Sequence, residues 1–160
     1  MQDPMAMARA MMAMQQQAAQ LVAEARADLA ARGLGFGPEL QQEVAAQAAA
    51  HPTPVYDPND AANAAAAAHV AQQAMSAEYP EHGFDPADPR LEPIEGMSMP
   101  VAAIAARAVG WSTEPEFIAR VAGALGFDAE TYQRAGAAWR ERVAADVVLA
   151  AFYGQLFSQA

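Results

Sequence analysis

The chain contains no cysteine and no lysine. The first absence excludes disulfides, thiolate metal sites and cysteine nucleophiles. The second leaves nine arginines as the whole basic complement against nineteen Asp and Glu, a formal net charge of −10. Such a chain is poorly matched to a phosphate backbone, whose binding rests on basic side chains that release counterions. Nucleic acid is therefore not an expected partner. Arg-only, Ala-rich usage is read as a GC-rich coding bias. Long apolar runs are also missing, because Gln, Arg, Glu and His interrupt the alanine tracts before the roughly 20 residues of a membrane span accumulate. Met1-Gln2-Asp3-Pro4 lacks a basic segment followed by an aliphatic one, so a cytoplasmic location is expected. There is no GxGxxG, P-loop or GxSxG motif, and no cofactor is expected.

Aromatics are scarce in one half only. Eight of the twelve lie in the last 50 positions, and the first 77 residues hold only Phe36 and Tyr56. Large side chains carry most burial energy, roughly 1.5–3 kcal/mol each. The expected architecture is all-α: an Ala/Met/Gln-rich helical region over 1–79, an acidic Pro-rich linker over 80–93, and a compact three-helix domain over 94–160.

Local signals place the helices. Asp3-Pro4 supplies a cap and a proline at the first helical position. Met7, Met11, Met14, Ala18, Leu21, Ala25 and Leu29 then share one face up to a stop at Gly33. A helix of ~40 Å results, longer than a small core can cover, so it needs another helix or subunit. Gly33, Gly35 and Gly37 read as turn chemistry. Pro38 opens a second helix to about Ala50, with Leu40 and Val44 facing inward. Asp57-Pro58 starts a third through Ala64–Ala68 to Tyr79-Pro80. Between Glu78 and Glu95 six acids face one arginine, Arg90, in an extended linker or surface belt.

Beyond it, Val101, Ile104, Ala105, Ala108 and Val109 form a stripe on a helix ending at Gly110. Thr113 and Glu116 have capping-box spacing ahead of Phe117, Ile118, Val121 and Leu125. Asp128 caps one last helix over 129–157, with Trp139 and Phe117 near the domain centre. At about 100° per residue, Tyr132, Gly136, Trp139, Val143, Val147, Ala150, Gly154 and Phe157 fall within a sector of roughly 80°. Gly136 and Gly154 would admit another backbone. Leu149, Phe152 and Leu156 fill the far side, so the last two turns must cover the N-terminal helices or a second subunit.

Pro93, Ile94, Gly96 and Ser98, followed by Trp139, Arg142, Asp146 and Phe157, make a Pro-Ile-x-Gly-hydrophobic-Ser entry, a Trp-x-x-Arg-x-x-x-Asp helix and an aromatic C-terminus. Residues 91–157 thereby resemble a small helical module of uncharacterised bacterial proteins. The resemblance implies a bacterial origin and a domain start near residue 91, and brings no mechanism.

Candidate chemistry is sparse. Arg142 and Asp146 stand four apart, and a half-buried carboxylate can act as acid or base; the plainer reading is a structural bridge between them. Met1, Met5, Met7, Met11, Met12 and Met14 are soft donors suited to Cu(I), or an adaptable apolar face. His51, His69 and His82 have no ligand spacing. Tyr56 and Asp60 match a Tyr-x-x-x-Asp export pattern but lack its Trp-x-Gly hairpin. The leading expectation is a non-enzymatic interaction or structural protein, self-associating or binding a partner protein through Met7, Met11, Met14, Leu149, Phe152 and Leu156. Trp139, Arg142 and Asp146 are assigned structural roles. The alternative is a small-molecule or Cu(I) binder using an inter-helix pocket or the Met cluster.

Overall fold

The computed structural model describes residues 2–57 and 59–160. Among them the chain is all-α: α1 (Pro4–Ala31), α2 (Pro38–Ala50), α3 (Ala61–Ser76), α4 (Met99–Val109), α5 (Pro115–Ala124), α6 (Ala129–Ala144) and α7 (Val147–Gln159). A 3-10 turn spans Pro89–Leu91.

The helix starts follow cap chemistry. Asp3 caps α1 through the Met5 amide, Ser98 caps α4 through Val101, and Asp128 caps α6 through Thr131. Each satisfies a donor that the first helical turn leaves without a partner. Gly33 and Gly110 stop α1 and α4 at φ +71° and +57°, a region open to glycine at little cost. Three expectations shift. The Thr113–Glu116 capping box does not form, because Pro115 takes the first helical position and moves the cap to Glu114. The Glu114 amide instead donates to Ser112 Oγ. The third helix starts at Ala61, where Asp60 accepts the amides of Ala62 and Asn63; Pro58 lies outside the described residues. Its end is also earlier, at Ser76.

The third correction is the largest. Residues 129–157 are two helices, not one. Asp146 leaves the helical region (φ −139°, ψ 110°) and caps α7 with its own carboxylate. A short acidic side chain competes for nearby backbone amides in this way, and the following Val147-Val148 pair has weak helix propensity. The bend turns Val148, Leu149, Phe152 and Leu156 inward, and all four are buried.

α4 is the central helix, buried at Met99 and from Val101 through Ala105. α1 lies along α7 and α4, placing Ala10, Met14, Ala18, Val22 and Leu29 in the same cluster as Phe117, Trp139 and Phe152. The long N-terminal helix thus finds its cover within the chain. No gap in the core separates 1–79 from 94–160. Segment 80–93 is a belt rather than a free linker, since Tyr79 and Phe84 are buried members of the cluster. Gln2 and Gln17 fasten it: each side-chain amide exchanges two hydrogen bonds with belt backbone, at Tyr79 (2.8 and 3.0 Å) and Phe84 (2.7 and 2.9 Å).

The six residues expected at an interface are drawn into this core. Met14, Leu149, Phe152 and Leu156 have no exposed surface. Met7 and Met11 are half-buried against the same cluster. For Met14, Leu149, Phe152 and Leu156 the assignment to an intermolecular contact is corrected, because α1, α4 and α7 bury them against one another. Met1 lies outside the described residues.

Candidate functional site

Two arrangements gather the chain's chemistry, and they meet at Asp146. The first is a charged clasp where the belt crosses the bend between α6 and α7. Phe84 stacks on Phe152 with centroids 4.9 Å apart, and the Arg90 guanidinium lies 4.7 Å above Phe84. Arg90 donates to Asp88 at 2.9 Å and to Asp146 Oδ2 at 3.1 Å. Asp146 Oδ1 accepts the amides of Val148 (2.9 Å) and Leu149 (3.1 Å). Burial works against the Asp146 charge, but the Leu149 amide, the Arg90 guanidinium and the Val148 amide outweigh it, leaving the carboxyl below its ordinary range. Asp88 is held low chiefly by its hydrogen bond from Arg90. A carboxylate so tied is a bracket for the helix bend and a poor proton donor near neutral pH.

The expected Arg142–Asp146 bridge is replaced. Arg142 donates to the carbonyls of Arg90 (3.2 Å) and Glu92 (2.7 Å) and stacks 4.7 Å over Trp139. Asp146 takes Arg90, from 56 residues earlier in the chain. Trp139 is buried, and its indole donates to the Met97 carbonyl at 2.9 Å. Beside it Ile94 and Met97 exchange backbone hydrogen bonds around a tight turn with positive φ at Glu95 and Gly96. Pro93, Ile94, Gly96, Ser98, Trp139, Arg142 and Asp146 therefore belong to one belt-to-helix junction.

The second arrangement is an open cleft of about 1350 Å³ between α3 and the bodies of α4, α6 and α7. Its lining follows the sequence stripe: Tyr132, Gly136, Trp139 and Val143 from α6 continue into Val147, Ala150 and Phe157 from α7. The stripe survives the bend because both helices present it to the same space. Val70 and Gln73 of α3 form the opposite wall. Trp111 stands at the end of α4, 58% exposed. No backbone packs against Gly136 or Gly154; the nearest atom to a side chain added at Gly136 is Arg140 Nη1, 3.9 Å away. Tyr132 and Tyr153 are half-buried in the lining, and burial raises both phenols while the positive charge of Arg140 opposes the shift.

The histidines stay apart. His51 Nε2 lies 3.7 Å from Glu114, and His69 shares a hydrogen bond with Gln73. Among the described residues no three His, Asp or Glu side chains gather as metal ligands. No helix there is long and apolar enough to cross a membrane. Sequence reasoning missed Arg90, Arg140 and Tyr153. Arg90 had a signal, as the lone cation among six acids; the other two had none, because their proximity is set by the packing of α7 beside α6. No family model matches this chain, and no curated protein or solved structure shows significant similarity to it.

Proposed function

We propose that the protein is a non-enzymatic binding protein that takes an apolar small molecule in the cleft between α3 and α4, α6 and α7. One observation carries this reading. The apolar stripe of α6 and α7 is only partly covered by the chain itself: Trp139 is buried in the core, while Tyr132, Val143 and Val147, half-buried against it, and Phe157, 40% exposed, border a single open space. Concave, mostly apolar sites with a few polar groups are the usual form of a small-molecule site. The volume exceeds that of a compact drug-sized site, roughly 300–1,000 Å³, and the lining runs from Tyr132 along α6 to Phe157 on α7, so a ligand that fills it is elongated.

Both tryptophans border the cleft, so intrinsic fluorescence reports occupancy. Titration of the full chain with the neutral dye Nile red should show saturable binding with a change in tryptophan emission. Gly136→Leu, which places a side chain in the cleft, should weaken it at least tenfold. Non-saturable uptake, or equal binding by the variant, would count against the reading.

A second reading is favoured by α3 itself. It has no buried residue, and Val70 and Met75 are more than half exposed. A helix so lightly held is a natural contact for a partner protein or a second copy of the chain. Sedimentation of the wild type beside Met75→Glu tests it: a change of assembly supports the contact, and a monomer in both removes self-association. A cytoplasmic location and bacterial origin are part of either reading.

A further inference from the structure

The chain's arginines are nearly all committed. Arg9 pairs with Glu81, Arg32 with Asp28, Arg90 with Asp88 and Asp146, Arg120 with Glu43, and Arg134 with Glu95 and Glu130. Arg107 donates to the carbonyls of Phe157 and Ser158, and Arg142 to those of Arg90 and Glu92. Two remain without a carboxylate or carbonyl partner among the described residues, in a chain of net charge −10. Arg26 stands on the exposed face of α1. Arg140 lines the cleft. Its guanidinium lies back along α6 over Gly136, and Tyr132, two turns earlier on that helix, and Tyr153 of α7 line the same cleft. Neither phenol hydroxyl is hydrogen-bonded to another described residue, and neither is fully buried. Three donor groups without acceptors thus line one apolar space.

We propose that Arg140, Tyr132 and Tyr153 form the head-group end of the cleft, and that its ligand is an elongated amphiphile bearing a single carboxylate, of the fatty-acid type. This rests on the cleft being a ligand site at all. A guanidinium presents parallel N–H groups that match the two oxygens of a carboxylate, and the phenols supply further O–H donors. The apolar body then runs along Trp139, Val143 and Val147. One uncommitted cation matches a monoanion. A phosphate dianion would need a second, and the other charged groups on the lining are Asp146, already neutralised by Arg90, and Glu78. Lys at this position would offer a point charge in place of the planar fork.

Calorimetry on the full chain with dodecanoate, dodecanol and dodecyl phosphate, each below its micelle concentration, separates the possibilities. Wild type should bind dodecanoate about ten- to hundredfold more tightly than dodecanol, the range for hydrogen bonds to a charged group, and also more tightly than dodecyl phosphate. Arg140→Gln, an exposed position whose change should leave the fold intact, should abolish that preference by weakening dodecanoate far more than dodecanol. Arg140→Lys should restore part of it. With Arg140 retained, Tyr132→Phe together with Tyr153→Phe should reduce it. Equal binding of dodecanoate and dodecanol would overturn the head-group assignment and leave the cleft as a site for neutral ligands. Tighter binding of dodecyl phosphate would overturn the carboxylate assignment. Failure of all three to bind would overturn both the head group and the cleft.

Discussion

Gln17, in the middle of α1, and Phe84, in the belt, exchange two hydrogen bonds: Gln17 Nε2 donates to the Phe84 carbonyl and the Phe84 amide donates to Gln17 Oε1. A side-chain amide here mimics the pairing of a neighbouring strand and satisfies backbone that has no helix to bond to. It also seats the Phe84 ring on Phe152. Gln17→Ala leaves both groups without partners beside the core, so a loss of about 1–3 kcal/mol is expected. Urea unfolding of the two proteins measures it. Gly83→Ala should act on the same contact, because Gly83 has φ +84° and a Cβ there would meet Gln17 Oε1 at 2.7 Å. The two losses should fall short of adding; full additivity would show that Gln17 and Gly83 act separately.

Asp146 holds the α6–α7 bend through two amides and Arg90. Replacing it with Ala removes a helix cap, at about 0.5–2 kcal/mol, while the partly exposed ion pair adds little. Asp146→Asn keeps a capping oxygen and should cost less. The sign with pH follows from the lowered carboxyl. A folded-state value below the unfolded one, roughly 3.9, contributes stability that is present above that value and lost as pH falls through the folded value. The gap between wild type and Asp146→Asn should therefore narrow as denaturation midpoints are taken from pH 7 toward pH 3. A constant gap would show that the charge contributes nothing.

Leu149, Phe152 and Leu156 would be expected to govern assembly if they faced a second molecule. Buried between α1 and α4, they govern folding instead. Phe152→Ala should cost about 3–5 kcal/mol and reduce the cooperativity or midpoint of the whole transition. Leu149→Asp buries a charge with no partner and should prevent folding. Circular dichroism on Leu149→Asp decides the point: retention of native helicity with only a change of mass would return these residues to an interface.

What was legible in the sequence was local. Asp3-Pro4, Pro38, Ser98 and Asp128 mark helix starts because a cap acts within three residues of itself, and Gly33 and Gly110 mark ends for the same reason. The Thr113–Glu116 box failed by one position because Pro115 overrides hydroxyl capping. The bend at Asp146 was hidden, since the apolar stripe keeps its period through it. That same stripe traced the cleft lining, although periodicity alone cannot say whether an apolar face is packed or open. The clasp of Arg90 with Asp146 and the grouping of Arg140 with Tyr153 depend on how the belt and α7 fold back, which no short window of sequence contains.

α3 should be the least protected helix. It is held by alanine propensity and the Asp60 cap, without a buried side chain, and isolated helices of this length are marginal. Its amides should exchange with deuterium far faster than those of α4 and near the rate of a fraying terminus. Occupancy of the cleft gives Val70 and Gln73 a surface to rest on, so saturating dodecanoate should slow exchange over 61–76 selectively. Protection of α3 equal to α4 without ligand would mean that other contacts hold it.

The two phenols give the site an alkaline signature. Burial raises Tyr132 and Tyr153 above the ordinary tyrosine value, with Arg140 opposing. For a group raised on folding, the stability it contributes is full below the unfolded value, about 10, and is lost as pH rises through the folded value. Above pH 10 the wild type should thus lose stability faster than the double Tyr→Phe variant. A carboxylate seated between the phenols makes their ionisation harder still, because each phenolate would both lose its donated hydrogen and repel the head group. Phenolate absorbance followed through an alkaline titration should shift to higher pH with dodecanoate bound, and dodecanol should leave it nearly where it was. The same shift with both ligands would assign the effect to exclusion of water alone, and Arg140 would then have no part in it.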